Sequence, residues 1–507
     1  QPMRGRGKAA ELRAAIGRFR EAGKKAYAQL ELATPVDYLI ASACDEIVMP
    51  ESGAIMLPGV HAEATFYKGL LGKLGIEADF LHIGPYKGAA AQLTHEKFTK
   101  PLRENLPPIL DHLYDQLITT IAADRLFTVA QARELVDRGI ITASDAVDAG
   151  LVDRLAYPDE LRADLANDYA AEPLVYVENY GKKEVDTDFS GPMGFVKLLQ
   201  LMMGVPTGSG RSSLPNIAVV YAVGPIMTGD SEQSPFGGSV MGSTTIVDAL
   251  RKANDDKKVK AIVLRINSPG GSAVASDLIW RETQRIEKPI VVSMGDVAGS
   301  GGYYIAMGAD KIYATPGTIT GSIGVVSGKL AIRGMYEKVG ISTETIHRGK
   351  NSGLFGSSDK FTESERHALS HFMEDVYEQF TEKAAAGRDM PLDELRQLAE
   401  GRIFTGRQAK RNGLVDELGT LEDAIAGAKQ LAGLAEDDKV RFKLLSEPVN
   451  FFGSMFGDLD AEREVRLATG AFDLPAELRE PLARAHVWQR MLGEPALLMM
   501  PVNLTVR

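Results

Sequence analysis

The chain has 507 residues, roughly three times the ~150 of an average domain, so two or three domains are expected and a single small binding module is excluded. With 44% hydrophobic and 25% charged residues, it has a globular composition that excludes disordered and collagen-like chains. Its 57 basic and 68 acidic side chains leave a net charge of -11, which repels nucleic-acid phosphate at long range, so no nucleic-acid partner is expected.

The sequence opens Gln1-Pro2, with no signal-peptide pattern and no apolar run of ~18 residues that would span a bilayer. Its one cysteine, Cys44, permits neither an intramolecular disulfide nor a cysteine metal cage. Internal repetition governs the rest of the reading. Tyr38-Leu-Ile-Ala-Ser-Ala-Cys-Asp-Glu-Ile47 aligns with Tyr303-Tyr-Ile-Ala-Met-Gly-Ala-Asp-Lys-Ile312 at an offset of 265 residues. Leu81-His-Ile-Gly84 aligns with Ile346-His-Arg-Gly349 at the same offset, and Gly150-Leu-Val-Asp153 with Gly413-Leu-Val-Asp416 at 263. Two copies of one domain are therefore expected: residues 1–185, then a linker at 186–215, then 216–436, with a tail at 437–507. The equivalents of Ile217 to Arg265 fall before residue 1, so the first copy is expected to lack its opening strands, in a missing piece with room for a signal or membrane anchor.

The apolar run Met193–Val205 reads as a buried or interfacial helix, followed by a Gly-, Ser- and Pro-rich connector at Gly204–Ser213. In the second copy, Ile217–Val223, Ala261–Ile266 and Pro289–Met294 read as buried strands. Helical patterns over Thr245–Asn254 and Ala275–Ile286 separate them, giving the βαβ alternation of an α/β domain with a mostly parallel sheet. The tail's apolar clusters, Phe451-Phe452 and Leu497-Leu-Met-Met500, suggest docking on this chain or a neighbour.

Two glycine-rich loops follow these strands, at the carboxyl ends where α/β sheets place their ligand crevice. Asn267-Ser-Pro-Gly-Gly-Ser272 offers backbone N–H groups of Gly270 and Gly271 to a developing oxyanion, although a tight turn before a helix has the same composition. Gly295-Asp-Val-Ala-Gly-Ser-Gly-Gly302 puts Ser300 at a bend beside the Gly301 amide, where it is either a nucleophile or a helix N-cap bonding its own backbone. Ala298 departs from the Gly-x-Ser-x-Gly elbow of hydrolases. No histidine carries a catalytic signature. His367 and His371, with Glu374 following, read as a solvated helix face rather than a metal site, and no metal or cofactor is expected.

Together with Thr318-Ile-Thr-Gly-Ser-Ile-Gly-Val325, these loops resemble the signatures of the signal peptide peptidase A (protease IV) family in its long, duplicated bacterial form. The resemblance implies a tandem caseinolytic-protease/crotonase-like fold and a serine peptidase with a Ser-Lys dyad. The serine of the second copy is Ser300, and the family's Gly-x-Tyr-Lys motif matches Gly84-Pro-Tyr-Lys87, making Lys87 the base. Repeat arithmetic pairs Lys87 with Ser352 and Ser300 with Pro35, so each copy holds half of a dyad; Lys350, two residues out of register, is a rival base. The resemblance further implies Ser322 as the hydroxyl that orients the lysine, signal peptides as substrates, a homotetramer, and a bacterial inner-membrane protein facing the periplasm. A crotonase-like acyl-CoA enzyme and a catalytically silent scaffold of the same fold are the alternatives.

Overall fold

The computed structural model describes residues 6–79, 91–169, 216–233, 239–435, 438–445 and 496–499. Lys87 with its motif, the apolar run at 193–205, the connector and Phe451-Phe452 lie outside the described residues. Contacts divide the chain into two compact units: Gln1–Pro173 with Ser327–Asp375, and Leu174–Val326 with Val376–Arg507.

The second unit is built on three adjacent parallel strands, Asn216–Val223, Val259–Ser268 and Ile290–Gly299. Their apolar runs are buried on both faces, as parallel sheets require when helices cover each side. On one face Ile217, Val219, Ala261, Val263 and Val291 pack with Ala424 and Ala428 of the helix Leu421–Leu431. Each fully buried aliphatic side chain contributes about 1.5–3 kcal/mol. The crossover helices span Ser243–Asp255 and Ala273–Arg285, within two residues of the limits read from periodicity. The α/β class and the mostly parallel sheet are as the sequence indicated.

The strand Ile290–Gly299 runs five residues beyond Met294 and changes neighbours on the way. Val291–Ser293 pair with Lys311–Tyr313, whereas Val297–Gly299 pair with Ile319–Gly321. A register shift opposite, between Ile266 and Ser268, accompanies this change. Both serine-bearing turns, after Gly299 and after Gly321, consequently emerge side by side at the carboxyl end of the sheet. A smaller sheet in the same unit contains the glycine strand Gly270–Ser272, with parallel Ile226–Met227 on one side and antiparallel Leu497–Met499 on the other. The Leu497–Met499 cluster of the tail thus docks on its own chain.

In the first unit, Tyr27–Gln29, Glu46–Met49 and Arg154–Leu155 form a parallel sheet, and Leu32–Ala33, Ala54–Leu57 and Gly139–Thr142 form a second. Val60–Phe66 pairs antiparallel with Ser342–Arg348. Leu117, Ile118 and Ile121 of the long helix Lys100–Asp124 fill the core against Tyr38, Ile47 and Ile55.

The duplicated sequence elements turn out to be bonding partners. Tyr38 Oη donates to the Leu151 carbonyl at 2.8 Å, and Tyr303 Oη to the Leu414 carbonyl at 3.0 Å. Asp153 accepts from the Ile47 amide, and Asp416 from the Ile312 amide, each at 2.7 Å. Arg125 pairs with Asp153 as Arg388 does with Asp416. The Gly-Leu-Val-Asp element recurs because each copy uses it to satisfy a buried tyrosine and a strand-end amide. Burial pushes both phenols well above the ordinary tyrosine range, so they remain donors.

Candidate active site

Ser300 follows the strand Ile290–Gly299 and precedes a four-residue helix, Gly301–Tyr304. It is fully buried, with φ 54° and ψ -116°, a left-handed conformation that is strained for a residue with a side chain. Its amide donates to the Gly321 carbonyl at 2.8 Å, and its carbonyl accepts from Tyr303 and Tyr304 at 2.9 and 2.8 Å. The backbone is therefore held from both sides. Ser300 Oγ makes no cap bond and has no hydrogen-bond partner among the described residues. Ser300 thus stands at the N-cap position without its hydroxyl capping the helix.

The first copy supplies an internal comparison. At the position of Ser300 it carries Pro35, first residue of the helix Pro35–Ala41. Thr34, with φ -74°, caps that helix: its Oγ1 accepts from the Asp37 amide at 3.4 Å, while Asp37 accepts from the Thr34 amide at 3.0 Å. A helix start relieved of chemistry thus satisfies its own donors. The start at Ser300 does not.

Gly301 is the first residue of its helix, so its N–H has no partner within the helix. A Cβ there would lie 2.6 Å from Ser276 Oγ and 3.2 Å from both Gly270 Cα and the Gly271 nitrogen. Only glycine fits, and its amide lies directly against the glycine strand. Gly270 has φ 101°, and a Cβ on it would overlap the Leu498 carbonyl oxygen and approach the Gly301 nitrogen to 2.8 Å. The Gly270 N–H is directed to Ser268 Oγ at 3.2 Å. Ser300, Gly301, Gly270 and Gly271 are thereby brought into one cluster.

Ser322 joins them through the sheet. It follows Gly321, the residue paired with Gly299, and like Ser300 it is buried with φ 54°. Its amide donates to the Arg402 carbonyl at 2.7 Å. Thr318 and Thr320 donate to the carbonyls of Gly295 and Ala298 at 2.7 and 2.6 Å, fastening the strand to the serine loop. Both threonines belong to the Thr318–Val325 motif, and the Thr-x-Thr alternation on one strand face marks them, although the sequence assigned them no role.

The remaining candidates belong to the first unit. Lys350 is exposed, whereas an amine acting as a base at neutral pH needs burial; its backbone amide donates to Asp137 at 2.9 Å. His371 bonds Asp145 at 2.8 Å on an exposed helix face, and His347 stacks on His61 with 6.2 Å between ring centroids. The terminal strand Leu497–Met499 was missed as part of this region. It occupies the outer edge of Gly270–Ser272, with Leu498 opposite Gly271 and fully buried.

Residues 18–172 and 282–435 each match peptidase family S49, two copies at nearly the spacing of the internal repeat. The chloroplastic serine protease SPPA of Arabidopsis thaliana is 34% identical over 88% of this chain and 64% of its own length. Protease 4 of Haemophilus influenzae is 30% identical over 84% of this chain and 68% of its own. A putative signal peptide peptidase SppA of Enterococcus faecium is 34% identical over 50% of this chain and 73% of its own. The chain spans about two thirds of the length of the first two of these relatives. With two matched regions that together cover more than half of its length, the chain belongs to peptidase family S49.

Proposed function

We propose that the chain acts as a serine endopeptidase in which Ser300 is the nucleophile and Lys87 the general base. The observation that carries this reading is the buried, left-handed Ser300, whose hydroxyl bonds no other described group while sitting at a helix start beside glycine amides. An acyl-CoA enzyme of crotonase type needs the amides but has no use for a strained serine hydroxyl. A silent scaffold needs neither.

The chemistry follows from proton balance. Neutral Lys87 takes the Ser300 proton as Oγ attacks a peptide carbonyl, and the Gly301 amide, with that of Gly270 or Gly271, stabilises the developing oxyanion. For Gly270 this means exchanging its bond to Ser268 Oγ for one to the substrate. The lysinium then protonates the departing amine, leaving an acyl-enzyme. Water, deprotonated by the same lysine, hydrolyses the ester and restores Ser300. Lysine titrates near ~10.4 in water, so this role requires its pKa to be lowered by roughly 2–3 units, about 3–4 kcal/mol, through burial. Ser322 is assigned the task of orienting the amine.

The domain limits read from the repeat are retained, with Lys87 contributed by residues 1–185 and Ser300 by 216–436. Signal peptides are the proposed substrates, supported by the motif resemblance and the Enterococcus relative's name. A homotetramer at the bacterial inner membrane, facing the periplasm, is proposed on the resemblance alone. Among the described residues no helix is long and apolar enough to cross a membrane.

The test is covalent labelling by a fluorophosphonate, with the adduct mapped by mass spectrometry, alongside casein hydrolysis. The proposal expects label on Ser300 and loss of both activities in Ser300→Ala and Lys87→Ala. Casein hydrolysis that survives Ser300→Ala would refute it.

A further inference from the structure

We infer that Asp277 is a positioning residue that fixes the Gly301 amide against the glycine strand, acting through Tyr304. The inference rests on the peptidase reading above and adds to it a group remote from the reacting atoms.

Asp277 is only 1% exposed, and its Oδ1 accepts from Tyr304 Oη at 2.8 Å and from Lys383 Nζ at 2.7 Å. The two helices joined by the first bond are the ones that begin at the candidate site. Asp277 lies one turn into Ala273–Arg285, which continues directly from Gly270–Ser272. Tyr304 ends the four-residue helix that starts at Gly301, with its amide bonded to the Ser300 carbonyl. So short a helix has little internal cohesion, and its placement relies on what its side chains grip. Tyr303 grips the Leu414 carbonyl and Tyr304 grips Asp277. Of the two, only the Tyr304 bond runs to the helix that carries the glycine strand.

Lys383 pairs with this acceptor. A buried carboxylate without a counter-charge is expelled or protonated, and a carboxylic acid is a poorer acceptor for a phenol. Lys383, whose Nζ lies over the Trp280 ring at 4.8 Å from its centroid, supplies the charge. The first copy joins the corresponding three helices with its polarity reversed: Arg13 of Arg6–Glu21 donates to the Leu39 carbonyl and pairs with Asp124 of the long helix at 2.8 Å. There the short helix is held by its backbone. In the serine-bearing copy it is held by a side-chain bond, aimed at the end of the helix opposite the serine.

The experiment compares fluorophosphonate labelling rate, kcat and KM in the full chain for wild type, Tyr304→Phe, and two charge-free pairs. Asp277→Asn with Lys383→Met keeps an acceptor for Tyr304; Asp277→Leu with Lys383→Met removes it at similar volume. Both pairs lack the buried ion pair, so their difference isolates the bond from the charge. The expected result is a labelling rate and kcat at least about tenfold lower in Tyr304→Phe and in the Leu/Met pair, with KM unchanged, because donors displaced from the oxyanion act on the transition state alone. The Asn/Met pair should stay within about threefold of wild type. Equal labelling and kcat in the Asn/Met and Leu/Met pairs, whatever their melting temperatures, would overturn the inference, even if Tyr304→Phe failed to fold. Absence of label from active wild type would instead overturn the peptidase reading and the inference with it.

Discussion

Replacing Ser300 should make the protein more stable while silencing it, and the two smallest substitutions separate the reasons. In Ser300→Ala the hydroxyl disappears. A buried hydroxyl without a partner costs about 1–3 kcal/mol; Ser300 Oγ bonds no described group, so this variant should gain up to that amount, less what a bond to Lys87 contributes. Ser300→Gly also relieves the backbone at φ 54°, ψ -116°. Such strain is worth about 1–3 kcal/mol, less the ~0.5–1 kcal/mol that glycine loses through its freer unfolded chain. The glycine variant should therefore exceed the alanine variant by about 0.5–2 kcal/mol. For a unit of this size each kcal/mol moves Tm by roughly 2–4 °C, and because two units need not unfold together, the transition to follow is the one that moves with the Ser300 variants. Differential scanning calorimetry reads the order Gly above Ala above wild type. If glycine is no more stable than alanine, the turn is not strained, and the nucleophile argument, which rests on that strain, fails.

Gly301→Ala drives a methyl against Ser276 Oγ, which already donates to the Ser272 carbonyl at 2.8 Å, and should cost about 1–3 kcal/mol with a kcat loss of about 10²-fold or more. Adding Ser276→Ala should recover part of the stability but little activity, since Gly270 remains in the way; purely additive denaturation energies would contradict that packing. Ending the chain after Pro495 frees the outer edge of Gly270–Ser272, so KM for an unstructured peptide should fall severalfold while kcat holds; an unchanged KM would mean peptides do not pair there. In the first unit, two bonds from Arg333 hold the Asp359 carboxyl below its usual range. Its folded pKa is depressed, so its contribution, under about 1 kcal/mol at this exposure, is present above the unfolded value of ~3.9 and vanishes as pH falls through the lower folded one. Urea titrations of wild type and Asp359→Asn should differ at pH 7 and converge near pH 2; a gap that persists in acid would refute the pairing.

Features written into local chemistry could be read before any coordinates. Ile217–Val223 and Ala261–Leu264 are apolar runs of the length and β-branched content that a doubly covered strand explains. The repeat was visible because Tyr303 and Asp416 serve the same partners as Tyr38 and Asp153. Gly295–Gly299 was not legible as strand, since glycines and Asp296 carry no period-two pattern and the extension depends on Ile319–Gly321 alongside. Nor was the choice of partner for Val60–Phe66, or the seating of Leu497–Met499 on Gly270–Ser272: both pairings join distant parts of the sequence, and period two says nothing about who lies next door. Of the candidate site, the glycines and Ser300 were found from composition. The conformation that distinguishes a nucleophile from a cap was not, because serine suits both.

The duplicated helix start has a bearing on how such a site is kept. Thr34 and Asp37 close the turn of the leading half upon itself, and Pro35 contributes no N–H. Planting a serine at 35 would accordingly yield no second nucleophile: Thr34 Oγ1 would still accept from the Asp37 amide and keep the turn closed. Reactivity here is a property of an unfinished turn rather than of a residue type, and a single polypeptide preserves the finished version as its own control.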